Sequence, residues 1–103
     1  MIEIRVLVPA DVDTVDAVLP LHRLGHPGGS TYLVAWDGAA PVGHAHLAWT
    51  KTELGIPELQ DFFVLPDRRG EGIGTQLTEA AERLVAERGH DRCSIGVSVE
   101  NGA

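Results

Sequence analysis

Phe62-Phe63-Val64-Leu65-Pro66-Asp67-Arg68-Arg69-Gly70-Glu71-Gly72-Ile73-Gly74-Thr75 is the most telling stretch of this chain. It starts as an apolar run of β-forming residues, is stopped by Pro66, turns through Asp67 to Gly70, and acquires helical spacing from Gly72 onward. A strand that feeds a helix through a glycine-rich, arginine-bearing turn is a device for holding phosphate. The first N–H groups of a helix have no intrahelical acceptor, and the macrodipole places partial positive charge on them. Gly70, Gly72 and Gly74 let a ligand approach the main chain without meeting a β-carbon, and Arg68 and Arg69 bring charge.

Two familiar phosphate loops fail on these residues. A Walker loop needs Gly-Lys-Ser/Thr at its end, and the chain's single lysine, Lys51, lies far from the turn. The dinucleotide fingerprint Gly-x-Gly-x-x-Gly requires glycine where Thr75 stands if it begins at Gly70, or where Leu77 stands if it begins at Gly72. The pattern that fits is Arg/Gln-x-x-Gly-x-Gly/Ala, read as Arg69-Gly70-Glu71-Gly72-Ile73-Gly74. With the Val-Leu-Pro strand end before it and a helix after it, this pattern resembles the acyl-CoA-binding signature of the GNAT family of N-acetyltransferases.

Bulk properties are those of an ordinary soluble globular protein. The chain has 103 residues, enough for one modest core, with 44% hydrophobic and 22% charged residues. It contains no run as long as a membrane span and begins without a basic leader or an apolar signal core, so no membrane partner is expected. One cysteine, Cys93, forms no internal disulfide, which points to a cytoplasmic setting. A net charge of -7 argues against nucleic acid. It also repels an anionic cofactor, so the adjacent Arg68 and Arg69 must supply local attraction. An acidic surface favours a cationic acceptor such as an amine.

Taken in order, residues 2–8 read as a strand. Pro9 opens a short helix whose stripe Val12, Val15, Val18 and Leu19 ends at Pro20. Residues 21–30 read as a loop, 31–36 as a second strand, Asp37-Gly38 as a hairpin turn and 42–50 as a third strand carrying His44 and His46. A polar loop follows over 51–57, then a fourth strand over 58–65. The helix from Gly72 places Ile73, Leu77, Ala80, Ala81, Leu84 and Val85 on one side, with Glu79 and Arg83 spaced for a pair on the other. Gly89 stands where a left-handed cap belongs, and residues 93–99 read as a fifth strand laid parallel to the fourth.

This order, β-α-β-β-β-α-β, is that of the first two-thirds of the acyl-CoA N-acyltransferase fold. The resemblance therefore implies a mixed α/β sheet, one partial domain over residues 1–103 that lacks the usual C-terminal helix and strands. It implies acetyl-CoA as cosubstrate, seated between strands four and five. The backbone of Phe62, Phe63 and Val64 would pair with the pantetheine arm and polarise the thioester. The N–H groups of Arg69, Gly70, Glu71, Gly72, Ile73, Gly74 and Thr75, with Arg68 alongside, would hold the pyrophosphate. Asn101 stands where the family often has an asparagine that contacts CoA. A small-molecule or protein amine would be the acceptor, attacking directly in a ternary complex.

A protonated amine, with an ordinary pKa of about 10.4, needs a proton acceptor. In one branch of the family this is a glutamate on strand four, eleven residues before the signature, which here is Glu58. Partial desolvation of its carboxylate would raise its pKa toward that of a general base. The plainer reading of Glu58 is a solvated strand-start carboxylate, and Asp61 lies close by. Phe62 and Phe63 also read as core residues. The tyrosine that commonly assists thiolate departure has no counterpart, Tyr32 being the only tyrosine. His22 and His26, and His44 and His46, are spaced for metal binding but lack acidic or thiolate company, so no metal is expected. Cys93 reads as core, and Trp49 as core or rim. The alternative function is a truncated module that holds CoA or dimerises without turnover. On either reading an uncovered fifth strand, 94–99, suggests a homo-oligomer.

Overall fold

The computed structural model describes residues 1–25, 29–50, 52, 55–91 and 93–95. Its elements are β1 (Ile2–Val6), a 3₁₀ turn (Pro9–Asp11), α1 (Val12–Val18), β2 (Ser30–Asp37), β3 (Ala40–Ala48), β4 (Glu58–Val64), a second 3₁₀ turn (Pro66–Arg68), α2 (Ile73–Glu87) and β5 (Ser94–Ile95). The strands form one sheet in sequence order. Neighbours from β1 to β4 run antiparallel, whereas β5 lies parallel to β4, with Glu58 beside Ser94 and Leu59 beside Ile95. A parallel pair needs a crossover, and α2 is that crossover.

The two faces of the sheet carry separate cores. On one face α2 lays Ile73, Leu77, Ala81 and Val85 against Leu33, Ala35, Val42, Ala45, Leu47, Leu59 and Val64. On the other, Val15 and Leu19 of the α1 segment meet Leu21, Tyr32, Val34 and Trp36. Alternate residues of β2 thus serve opposite cores, so Tyr32 through Trp36 are buried without interruption. Gly43 permits close seating of α2: a β-carbon there would stand 3.1 Å from the Phe63 carbonyl oxygen and 3.3 Å from both Ile73 and Leu77.

Several boundaries differ from the sequence reading. β1 ends at Val6, although the Leu7 N–H still reaches the Tyr32 carbonyl at 2.8 Å. The helix expected from Pro9 opens as a 3₁₀ turn and becomes α-helical only at Val12. β3 begins at Ala40, because Gly38 (φ +64°) closes the hairpin tightly and Ala40 pairs at once with Asp37. Pro41 is accommodated within this inner strand at a register shift opposite Ala35 and Trp36, where its missing N–H disturbs the ladder least. Glu79 and Arg83 stand exposed a turn apart, and no ion pair joins them. Gly89 (φ +87°) closes α2 as expected, with its own N–H on Ala86 O at 3.0 Å and that of His90 on Val85 O at 3.1 Å. Among the described residues no helix is long and apolar enough to cross a membrane. Residues 96–99 of the expected fifth strand, and Asn101, lie outside the described residues.

Candidate functional site

The corner between β4 and α2 is built as the sequence suggests, with one refinement. The chain leaves β4 at Val64, turns through Pro66–Arg68 and enters α2 at Ile73. Gly72 is the residue before the helix rather than its first, and its φ of +83° is a left-handed value that a side chain would resist. No side chain caps the helix. The first amide with a helical acceptor is Gln76, which donates to Gly72 O at 3.0 Å. Among the described residues, none of the N–H groups of residues 70–75 donates a hydrogen bond. Six consecutive uncapped donors at a helix N-terminus favour an anion.

The three glycines of the turn divide by environment. Gly70 (φ +89°) and Gly72 both face open space, so a ligand can come against their backbone. Gly74 lies under the Phe62 ring, which would come within 3.0 Å of a β-carbon there. The two arginines divide as well. Arg68 donates through Nη2 to Asp37 Oδ2 at 2.9 Å and through Nε to both Glu71 oxygens at 3.1 Å. These bonds hold the Asp37 carboxyl below its ordinary pKa, aided by the nearby N-terminal amine and the charge of Arg68, and raise that of Arg68. Its charge thus offsets that of Glu71 beside the turn. Arg69 is exposed, donates through Nε to Val64 O at 3.1 Å and lies 5.8 Å from the Phe63 ring centroid.

β4 itself is irregular shortly before it reaches this corner. Between His46 paired with Gln60 and His44 paired with Phe63, β4 holds one residue more than β3. Asp61 takes up the excess with φ +46°, and it is the one non-glycine with positive φ among the described residues. Such a conformation costs about 1–3 kcal/mol and persists only where the surroundings enforce it. Beyond Leu59 no described strand pairs with β4 on the β5 side. Glu58 is half-buried at the start of β4 and accepts a hydrogen bond from Gln60 Nε2 at 3.0 Å.

On the α1 side of the sheet, Asp61 Oδ2 accepts from the Tyr32 hydroxyl and from the His22 N–H at 3.1 Å. The Tyr32 oxygen in turn accepts the Arg23 N–H at 2.8 Å. Burial, then the bond to Asp61, push the Tyr32 phenol far above its ordinary pKa, so it stays a donor. His44 and His46 are fully buried and both pack on the Tyr32 ring. His44 Nε2 sits 3.0 Å from Pro20 O, and burial lowers its pKa, which favours the neutral ring. Cys93 is half-buried, and burial together with Glu82 raises its pKa, which opposes a thiolate role. Trp49 is tied by Nε1 to Thr31 Oγ1 at 2.9 Å and lies 4.2 Å under the Arg88 guanidinium.

A family model for the acetyltransferase (GNAT) family matches residues 7–103. The chain belongs to that family. Mycothiol acetyltransferase of Clavibacter sepedonicus is 35% identical over 72 residues, covering 70% of this chain and 23% of that protein. The uncharacterised N-acetyltransferase YjgM of Escherichia coli (strain K12) is 32% identical over 69 residues, covering 67% of this chain and 41% of that protein. The chain thus spans less than half the length of the curated relatives it matches. Among solved structures, the ribosomal-protein-alanine N-acetyltransferase of Brucella melitensis biovar Abortus 2308 superposes with a TM-score of 0.79 at 17% identity, over 98% of this chain and 83% of that one. AAC(6')-Iy in complex with the bisubstrate analogue CoA-S-monomethyl-acetylneamine gives a TM-score of 0.76 at 19% identity, over 99% and 83%. At those identities the likeness establishes the GNAT fold.

Within this GNAT chain, the turn residues 68–75 and the β4 residues 62–64 adjoin one another, with Glu58 at the far end of the same strand. Sequence reasoning passed over the Asp61–Tyr32 pair. A carboxylate set in a strand between Leu59 and Phe62 is the one signal that could have marked it, because a charge there breaks the apolar pattern.

Proposed function

We propose that this chain transfers an acetyl group from acetyl-CoA to the amine of a small molecule or protein. The observation that carries this reading is the run of uncapped N–H groups at residues 70–75, in a family whose members are acetyltransferases. The donors suit the cosubstrate: main-chain amides for two linked phosphates, open space at Gly70 and Gly72, and Arg69 exposed beside them. Arg68 acts indirectly, by offsetting Glu71.

The cosubstrate supplies an activated acyl group, a thioester. The edge of β4 beyond Leu59 would take the pantetheine arm as an added strand, through the main chain of Phe62, Phe63 and Val64. An N–H there aimed at the developing oxyanion contributes about 2.7–4 kcal/mol of transition-state stabilisation. Glu58 would accept the proton released as the amine nitrogen bonds to the carbonyl carbon; the carbon–sulfur bond breaks to expel the CoA thiolate, which takes up a proton from solvent to become the free thiol.

Titration with acetyl-CoA, followed by free-thiol release with a panel of primary amines, tests the reading. Binding with thiol release supports it. Binding without release from any amine marks a CoA-holding module instead, and no binding removes the CoA assignment.

A further inference from the structure

The Tyr32 hydroxyl stands at a point where three separated segments meet: the β4 bulge at Asp61, the loop after α1 at His22 and Arg23, and the middle of the sheet. Asp61 is strained, and strain of this kind persists where neighbours over-determine it. The neighbours here are specific: one carboxylate oxygen gathers the phenol and the His22 N–H, while the phenol oxygen gathers the Arg23 N–H. The Tyr32 ring is held in turn by the buried rings of His44, at 5.2 Å between centroids, and His46, at 4.9 Å.

We propose that Tyr32 is a positioning residue that, through Asp61, fixes the β4 bulge and couples it to the loop at His22 and Arg23. This rests on the acetyl-transfer reading above, because the bulge immediately precedes the Phe62 and Phe63 main chain assigned there to the thioester. A bulge re-aims the backbone that follows it, so an unlatched Asp61 leaves those amides misdirected. The loop carrying His22 and Arg23 meets the same strand at Asp61. Its two amides bind only when Asp61 and Tyr32 are in register, so order in the loop and order in the bulge rise and fall together.

Tyr32→Phe tests this on the full chain, since it removes the hydroxyl and keeps the ring on His44 and His46. Amide hydrogen exchange, read without any ligand, should speed up by about tenfold at both residues 22–23 and 61–63 while α2 keeps its protection. With acetyl-CoA and the primary amine the wild type uses fastest, kcat should fall about tenfold to a hundredfold, with KM for acetyl-CoA changed less than about twofold. Asp61→Asn should retain much of the wild-type kcat, because asparagine tolerates positive φ and still accepts from Tyr32; Asp61→Ala should not. Unchanged exchange at both segments in Tyr32→Phe overturns the proposal, as does Asp61→Asn proving as impaired as Asp61→Ala. If the wild type releases no thiol with any amine, the acetyl-transfer reading fails on its own and the exchange result alone decides the coupling.

Discussion

The ring edge of Phe62 lies 3.0 Å from the point where a β-carbon on Gly74 would stand, so the strand before the turn and the helix after it are locked face to face. Gly74→Ala forces the half-buried ring to give by a few tenths of an ångström. The expected cost is about 1 kcal/mol, the lower end for overpacking. In a Phe62→Leu background that cost should vanish. Urea denaturation of the four chains gives the coupling, and strict additivity would show that the two residues do not press on one another.

Gly72 answers to a different physics. Nothing lies within 4 Å of its β-position, yet its φ is +83°. Gly72→Ala should therefore cost about 1–2 kcal/mol from backbone strain alone, and no neighbouring substitution should relieve it. Full relief by Phe62→Leu would contradict the assignment.

Arg68 is expected to influence anion binding without touching the anion. Its removal leaves Glu71 unbalanced at the mouth of the turn, so Arg68→Ala should weaken CoA binding by roughly two- to threefold, the modest scale of an exposed, solvent-screened charge. Glu71→Gln in the same background should recover most of the loss. Isothermal titration at two salt concentrations checks this, because the recovery should shrink as salt screens the charge.

His44 makes the fold sensitive to mild acid. Its folded-state pKa lies below the ordinary 6.5 because burial disfavours the charged ring. Below about pH 6.5 the unfolded chain takes up a proton that the folded chain declines, so the contribution is complete above that pH and is lost on acidification. Asp37 shifts in the same sense, but its ordinary value of 3.8 keeps its contribution intact until the pH is much lower. Between pH 7 and 5.5 the wild type should therefore lose stability more steeply than His44→Gln, by thermal unfolding; parallel slopes would exclude His44 as the cause.

Much of this architecture is legible in the residues. The strand–turn–helix corner follows from Val64-Leu65-Pro66 and the glycines after it, and α2 from apolar residues four apart. The expected order of elements holds because each apolar run has the period of its element and each break is a proline or glycine. What escaped is tertiary. Nothing local shows that Arg68 turns toward Asp37, on a hairpin distant in sequence, or that Gly74 serves Phe62 while Gly70 and Gly72 stay open. The bulge at Asp61 is equally hidden, because an extra residue in one strand appears only when its partner strand is laid beside it.

On the proposed function, the amides of residues 70–75 receive the pyrophosphate of CoA. Titrating the ¹⁵N-labelled chain with CoA tests it most directly. The amide signals of Gly70, Gly72 and Gly74 should shift earliest and furthest, with Arg69→Ala moving the same signals only at higher ligand concentration. Saturating CoA that leaves those signals in place, or moves only signals elsewhere on the sheet, would contradict it.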